Sequence, residues 1–299
     1  MNVKIAAATY PMTRHRNWAD WMTHIEAWVA DAARRQAQLL LFPEYGAMEL
    51  TGLLSEAEQQ DLQQQLYLLQ QFKDPFLEVL VQLARTWNVI IVAPSFPVLE
   101  AEKILNRAYV VSPKGLVGWQ DKFFMTRFEN ESWGIHAGAP ELKVFEADWG
   151  AFGIQICYDV EFPIGAALLC KHGAGLIVAP SCTETIRGAT RVHVGARARA
   201  LENQCFVAVS QTVGNAPWSP AVDVNYGYAG FYSTPDQGLP EEGIIANSAA
   251  QKEGWLLQDL DFSLNASVRE DGHVFNYKDQ QDIGYLLRGN AVRVVRVPV

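Results

Sequence analysis

Cysteine is scarce in this chain: Cys157, Cys170, Cys182 and Cys205 are the only four in 299 residues. They are too few and too widely spread for a disulfide framework, and no CxxC pair or HExxH stretch offers the spacing of a metal centre. They read as reduced thiols, and neither a metal nor another cofactor is expected. Long apolar runs are also missing. No stretch approaches the ~18 residues of a membrane span, and the opening run from Ile5 to Tyr10 is broken by Pro11, Arg14 and Arg16 before a signal-peptide core forms. A cytoplasmic protein with no membrane partner is the expectation. Basic residues are outnumbered, 24 Lys and Arg against 33 Asp and Glu, for a net charge of -9 without any clustered basic run. That balance argues against nucleic acid as a partner, because phosphate binding needs grouped cations.

What is present is apolar: 49% of the residues, against 19% charged, enough to bury a sizeable core. No Pro/Gly/Ser-rich linker divides the chain, so residues 1–299 are expected to form one domain. Val3 to Tyr10 reads as a buried strand. Asn17 then caps a helix with Trp18, Trp21, Met22, Ile25, Val29 and Ala32 on one face. Leu39 to Phe42 is a continuous apolar run stopped by Pro43, the mark of a strand covered on both faces. Ser55 with Glu58 forms a capping box for a Gln-rich helix to about Gln71, and Asp74-Pro75 caps the next. Further strands are expected at Val89 to Ala93, Ala108 to Val111, Phe152 to Ile156, Leu176 to Ala179 and Phe206 to Val209, and helices at Pro163 to Lys171 and Ala189 to Leu201. This alternation implies a layered α/β sheet. After Val213 the helical period fades, so the last third is expected to be strands and loops. An extended arm from about 280 would carry the β-branched run Val292 to Val297.

Three segments at expected strand ends carry reactive groups: Phe42-Pro43-Glu44-Tyr45, Asp121-Lys122-Phe123-Phe124 and Ile156-Cys157-Tyr158-Asp159. Strand ends fix a side chain while the adjoining loop admits a ligand. Singly, each has an ordinary structural reading: Glu44 in a surface turn, Lys122 as a solvated cation, Cys157 as a small buried hydrophobe. Together they form a chemical unit. A thiol needs a base or a nearby cation to become a nucleophile. Glu44 suits the base, Lys122 the charge stabiliser, and the Tyr158 amide a second donor to an oxyanion. A Cys/His pair with His172 or His193 as base is the competing reading.

In order and context, Glu44 in LLLFPEY, Lys122 in GWQDKFF and Cys157 in GIQICYDVEFP resemble the Glu-Lys-Cys triad of the nitrilase superfamily, the carbon-nitrogen hydrolases. Asn106-Arg-Ala with Ser112-Pro-Lys-Gly115, Gly175 to Pro180, and Ala196 to Asn203 extend the resemblance along almost the full chain. The resemblance implies a four-layer αββα sandwich, two central sheets flanked by helices, and a homodimer or higher even-numbered oligomer formed through helical faces. It also implies hydrolysis of a small amide through a cysteine thioester, without a cofactor. Cys-Tyr-Asp is more similar to the amidase and carbamoylase branches than to true nitrilases, so an amide is expected, with nitrile or N-carbamoyl substrates as alternatives. A catalytically silent binding or scaffold protein is the alternative of another class, and the intact triad argues against it. A second glutamate of the family matches best at Glu131, with Glu129 as fallback; its role would be to hold Lys122 and the substrate in register. Tyr45, Glu184 and Arg187 are further candidates to face the substrate. Exposed apolar surface for pairing is expected from Leu168, Leu169, Val192, Val194 and Ala198.

Overall fold

The computed structural model describes residues 2–287 and 295–296, with side chains described as far as 281 and at 295–296. The first half of the chain supplies β1 (Asn2–Pro11), α1 (Trp18–Arg34), β2 (Leu39–Leu41), α2 (Glu56–Gln59), α3 (Leu62–Leu68), α4 (Lys73–Trp87), β3 (Ile90–Val92), β4 (Phe96–Glu100), β5 (Lys103–Ser112), β6 (Gly115–Asp121), β7 (Ile135–His136) and β8 (Val144–Ala147). The second supplies β9 (Gly150–Ile154), α5 (Pro163–Lys171), β10 (Leu176–Ser181), α6 (Ile186–Asn203), β11 (Phe206–Asn215), β12 (Val224–Asn225), β13 (Gly230–Tyr232), β14 (Ile244–Asn247), β15 (Gly254–Asp261), α7 (Phe262–Asp271) and α8 (Asn276–Leu287).

The strands follow the order β4-β5-β3-β2-β1-β11-β10-β9-β8 in one hydrogen-bonded sheet. Its centre is parallel: β1 pairs in parallel with β2 and β11, and β10 with β9 and β11. Side-chain alternation divides the central strands between two cores. Val3, Ile5 and Ala7 of β1, with Leu39 and Leu41 of β2, face a core shared with β9, β10, β11, α5 and α6. Ala6, Ala8, Tyr10 and Leu40 face the opposite way, onto Trp21, Ile25 and Val29 of α1 and Phe76 and Leu80 of α4. Parallel strands buried on both faces read as continuous apolar runs for this reason. The outcome is the layered α/β arrangement that the resemblance implies: helices, the two halves of a curled sheet, and helices. The two halves are joined by the β1–β11 pairing.

Local signals explain most boundaries. Asn17 caps α1 through its side chain, which accepts from the Asp20 amide. The Ser55–Glu58 capping box forms, but its helix ends at Gln59, and Asp61 recaps the chain as α3, so the expected single Gln-rich helix is broken. α4 starts at Lys73, placing Pro75 inside its first turn rather than in a cap. Leu169 and Val192 point into the core, each 1% exposed, which corrects the expectation that they offer surface for pairing. Ile164, Leu168, Ile186, Val194 and Leu201 are the exposed apolar residues of α5 and α6.

The expectation of strands and loops through the last third is corrected by α7 and α8, and from 280 the chain is helical as far as Leu287 instead of extended. α7 buries only Asn265 and Val268, so it presents no apolar stripe to read. Its signal is local, the Asp261 side chain accepting from the Ser263 amide. Of the Val292–Val297 run, all but residues 295–296 lies outside the described residues. Among the described residues no helix is long and apolar enough to cross a membrane.

Candidate active site

Glu44, Lys122 and Cys157 each stand just past a strand, β2, β6 and β9, and their side chains converge inside the protein. Tyr45, with φ 53, turns the chain sharply after Glu44, and its amide donates to Ser95 Oγ at 2.8 Å. The Lys122 amide donates to the Asn106 carbonyl at 2.8 Å, tying the residue to the neighbouring strand β5. Cys157 has φ 48, a left-handed conformation costing a non-glycine residue of order 1–3 kcal/mol. It opens the 3-10 turn Cys157–Glu161 that leads into α5.

Two interactions hold that turn. Asp159 accepts from the amides of Phe123 at 3.1 Å, Phe124 at 2.7 Å and Ile156 at 3.2 Å, and so fastens the thiol's turn to the residues after Lys122. From the other side, Gly195 of α6 lies so close that a Cβ there would stand 2.9 Å from the Val160 carbonyl, and Arg199 Nη1 donates to the same oxygen at 3.1 Å. Arg199 in turn pairs with Glu202, the structural ion pair that spacing on a helix suggests.

The Lys122 ammonium donates to Glu44 Oε1 at 2.7 Å and to Glu129 Oε2 at 2.6 Å. Glu131, the expected partner, is exposed and pairs with Arg127 at 2.7 Å; the carboxylate on the lysine is Glu129. The cause is local. Glu129 accepts from the Thr126 amide and hydroxyl at 2.9 Å, a T-x-x-E box that turns its side chain inward at the start of the π-helical turn Glu129–Trp133. Tyr45 belongs to the same network: its hydroxyl donates to Glu129 Oε1 at 2.7 Å, so it braces the second glutamate behind the cavity. Asn106 Nδ2 donates to Glu44 Oε1 at 2.8 Å and its own oxygen accepts from Ser95. The Cys182 amide donates to Glu44 Oε2 at 2.9 Å, and the Cys182 carbonyl accepts from the Cys157 thiol at 3.6 Å.

Burial and charge set the protonation states. Burial pushes the Glu44 carboxyl upward, and the like charge of Glu129 adds to this while Lys122 opposes it. Burial also works against the Glu129 anion, but the Lys122 ammonium and the donors from Tyr45 and Thr126 win and hold it low. The two carboxylates overcome burial at Lys122 and keep it protonated. Burial, with the Glu44 charge, raises Cys157 well above an ordinary thiol. The resting site is thus a neutral thiol beside an elevated carboxylate and a fixed cation, an arrangement suited to general-base activation.

Cys157 opens onto a cavity of about 410 Å³ that also exposes Tyr158, Cys182, Glu184, Phe128 and Trp133. Arg187 lies outside this lining; one helical turn on, Arg191 of the same helix borders the cavity with Glu161. The histidines of the competing reading stand elsewhere. His193 is buried, stacked on Tyr228 and bonded to Tyr232 and Gln211, and His172 caps the end of α5 through Leu168. Sequence reading assigned no role to Asn106, Thr126 or Asp159. The T-x-x-E spacing and the Cys-x-Asp pattern were the signals available for two of them.

The model of the carbon-nitrogen hydrolase family matches residues 4–263. The probable hydrolase YhcX of Bacillus subtilis is 31% identical over 279 residues, which is 93% of this chain but 54% of the relative, so the chain spans about half of that protein's length. The omega-amidase NIT2 of Xenopus tropicalis is 29% identical over 203 residues, 64% of this chain and 69% of that one. A crystal structure of a carbon-nitrogen hydrolase from Helicobacter pylori G27 has the same fold, with a TM-score of 0.77 at 15% identity over 96% of this chain and 99% of that chain. Matched from β1 to the start of α7, the chain belongs to the carbon-nitrogen hydrolase family.

Proposed function

We propose that the protein hydrolyses the carbon-nitrogen bond of a small amide through a thioester on Cys157. The observation that carries this reading is the buried contact of Lys122 with two carboxylates, Glu44 and Glu129, behind the cavity that Cys157 lines. Glu44 takes the thiol proton as the sulfur attacks the amide carbon. The oxyanion is met by the Lys122 ammonium and the Tyr158 amide. As the C–N bond breaks, Glu44 returns the proton to the departing ammonia or amine. Water then attacks the thioester, Glu44 removes its proton, and the acid leaves while the sulfur is reprotonated. Glu129 stays ionised throughout and positions Lys122. Every step is a proton or acyl transfer that balances without a cofactor.

A cavity of about 410 Å³ suits a compact acyl group. Glu184, Glu161 and Arg191 at its border supply charges of both signs for the far end of that group. The resemblance of this chain to an omega-amidase supports an amide over a nitrile. The exposed apolar residues Leu168, Val194 and Leu201 on α5 and α6 support pairing of two chains through these helices.

Ammonia release measured across simple amides, ω-amides of dicarboxylic acids, carbamoyl amino acids and nitriles tests the reading. Release from one of the amide classes, abolished by Cys157→Ala, is expected. Release from nitriles alone, or turnover that survives Cys157→Ala, contradicts it.

A further inference from the structure

Away from the Cys157 cavity, three side chains from separate parts of the chain converge with polar atoms unpartnered. His15 lies in the connection from β1 to α1, His24 is in α1, and Glu49 is in the 3-10 turn Gly46–Leu53 that follows Glu44. One ligand atom from each lies within 4.8 Å of the other two, with His15 Nε2 3.4 Å from Glu49 Oε2. His15 Nε2, His24 Nε2 and Glu49 Oε2 are shielded from solvent, and none has a hydrogen-bond partner among the described residues. His15 is 6% exposed and Glu49 1%. A buried polar atom left unpaired costs roughly 1–3 kcal/mol. Three such atoms at one point call for something that satisfies them together.

We infer that His15, His24 and Glu49 hold a divalent transition-metal ion of the zinc class. Two imidazole nitrogens and one carboxylate oxygen form a donor set that zinc takes with an open fourth position. Bonds of about 2.0–2.1 Å in a tetrahedron place neighbouring ligand atoms roughly 3.4 Å apart, and His15 and Glu49 already stand at 3.4 Å. The His24 ligand atom, within 4.8 Å of the other two, has to come closer to complete the set.

The surroundings fit ligation. Glu49 Oε1 accepts from Tyr10 Oη and Trp21 Nε1, both at 2.8 Å, which fixes the carboxylate and leaves Oε2 aimed at the histidines. Outer donors of this kind orient ligating carboxylates. His24 borders a surface cavity of about 270 Å³ with Trp28, Glu253 and Trp255, so the cluster lies close to the surface. A plain His15–Glu49 ion pair is the rival account, and it leaves His24 Nε2 unsatisfied. The ion would join β1, α1 and the segment carrying Glu44. This inference is independent of the amidase reading.

The test uses the full chain freed of metal with a chelator and then equilibrated with Zn2+, Co2+ or Mg2+. One zinc per chain is expected, with a visible Co2+ spectrum of a tetrahedral nitrogen-oxygen site, a melting temperature that rises with zinc, and no retention of Mg2+. His24→Gln, at a half-buried position, should leave the metal-free melting temperature nearly unchanged while weakening zinc at least about tenfold and abolishing the thermal shift. His15→Gln should behave alike. Absence of zinc binding by the wild-type chain would overturn the inference, as would equal stoichiometry and an equal thermal shift in both variants.

Discussion

Replacing Glu129 by Gln removes one of the two carboxylates on Lys122 while keeping its shape. In the native site Glu129 Oε2 accepts from Lys122 Nζ at 2.6 Å and from the Thr126 amide and hydroxyl at 2.9 Å, while Oε1 accepts from Tyr45 Oη at 2.7 Å. Both oxygens face only donors. A Gln side chain has one oxygen, so its NH2 must point at Lys122 and the Thr126 amide or, beside Tyr45, at Asn106 Nδ2, and either choice sets donor against donor in a buried site. Glu44 remains as a partner for Lys122, which holds the stability loss to roughly 1–3 kcal/mol, below that for a fully orphaned ion. Displacement of the ammonium should lower kcat by about 10²-fold, equivalent to ~2.7 kcal/mol in the barrier. The pH profile adds a readout that a fold defect would not produce. Glu129 raises the Glu44 carboxyl through like charge. Without it Glu44 ionises at lower pH, and the acid limb of kcat/KM moves downward. Glu131→Gln is the control: its pair with Arg127 is exposed, 81% and 56% for the two side chains, and surface pairs of this kind contribute about 0–1 kcal/mol. Steady-state kinetics of both variants from acid to neutral pH decide the matter. Wild-type kinetics in Glu129→Gln together with a damaged Glu131→Gln would refute the reasoning.

Lys122→Arg should lose most activity, because a planar guanidinium cannot place its donors between Glu44 and Glu129 where one ammonium sits; near-normal turnover rejects the role. Asp159→Asn should cost about 1–3 kcal/mol in denaturant melts and lower kcat, since one oxygen must replace two that accept three amides; unchanged stability contradicts the brace. Burial lowers His193 from 6.5 to about 4, so the unfolded chain binds that proton first; stability present above pH 6.5 is lost as pH falls toward 4, about 3 kcal/mol in all. His193→Gln should flatten this part of the melting profile, and an unaltered acid slope refutes the assignment. The proposed pairing through α5 and α6 predicts a mass of twice 33.3 kDa or a higher even multiple by light scattering; a monomer with full activity contradicts it.

Glu44 and Cys157 were legible as candidates because each follows an apolar run, Lys122 because it is the cation of the third reactive segment, and the chemistry joining acid, cation and thiol needs no tertiary information. Choosing between Glu129 and Glu131 did need it. Both lie in one segment, and which faces Lys122 is set by the Thr126 box and the π-helical turn, geometry that the family resemblance alone does not encode. The central parallel strands were readable from Leu39 to Leu41 and Leu176 to Ala179 because they are buried on both faces. α7 was hidden because its inward face carries Asn265 beside Val268, and Asn265 donates to the Gly175 carbonyl instead of adding to an apolar stripe. The His15, His24 and Glu49 cluster follows no motif spacing. It exists only because β1, α1 and the turn after β2 pack together.

The central claim is that an acyl group passes through Cys157. Rapid quenching of the enzyme during turnover of an amide it hydrolyses, followed by intact mass and peptide mapping, measures this directly. The account predicts a mass increase equal to the acyl group, located on the peptide containing Cys157, absent from Cys157→Ala and decaying as the acid appears. Turnover without that adduct, or an adduct on Cys182 instead, would contradict it.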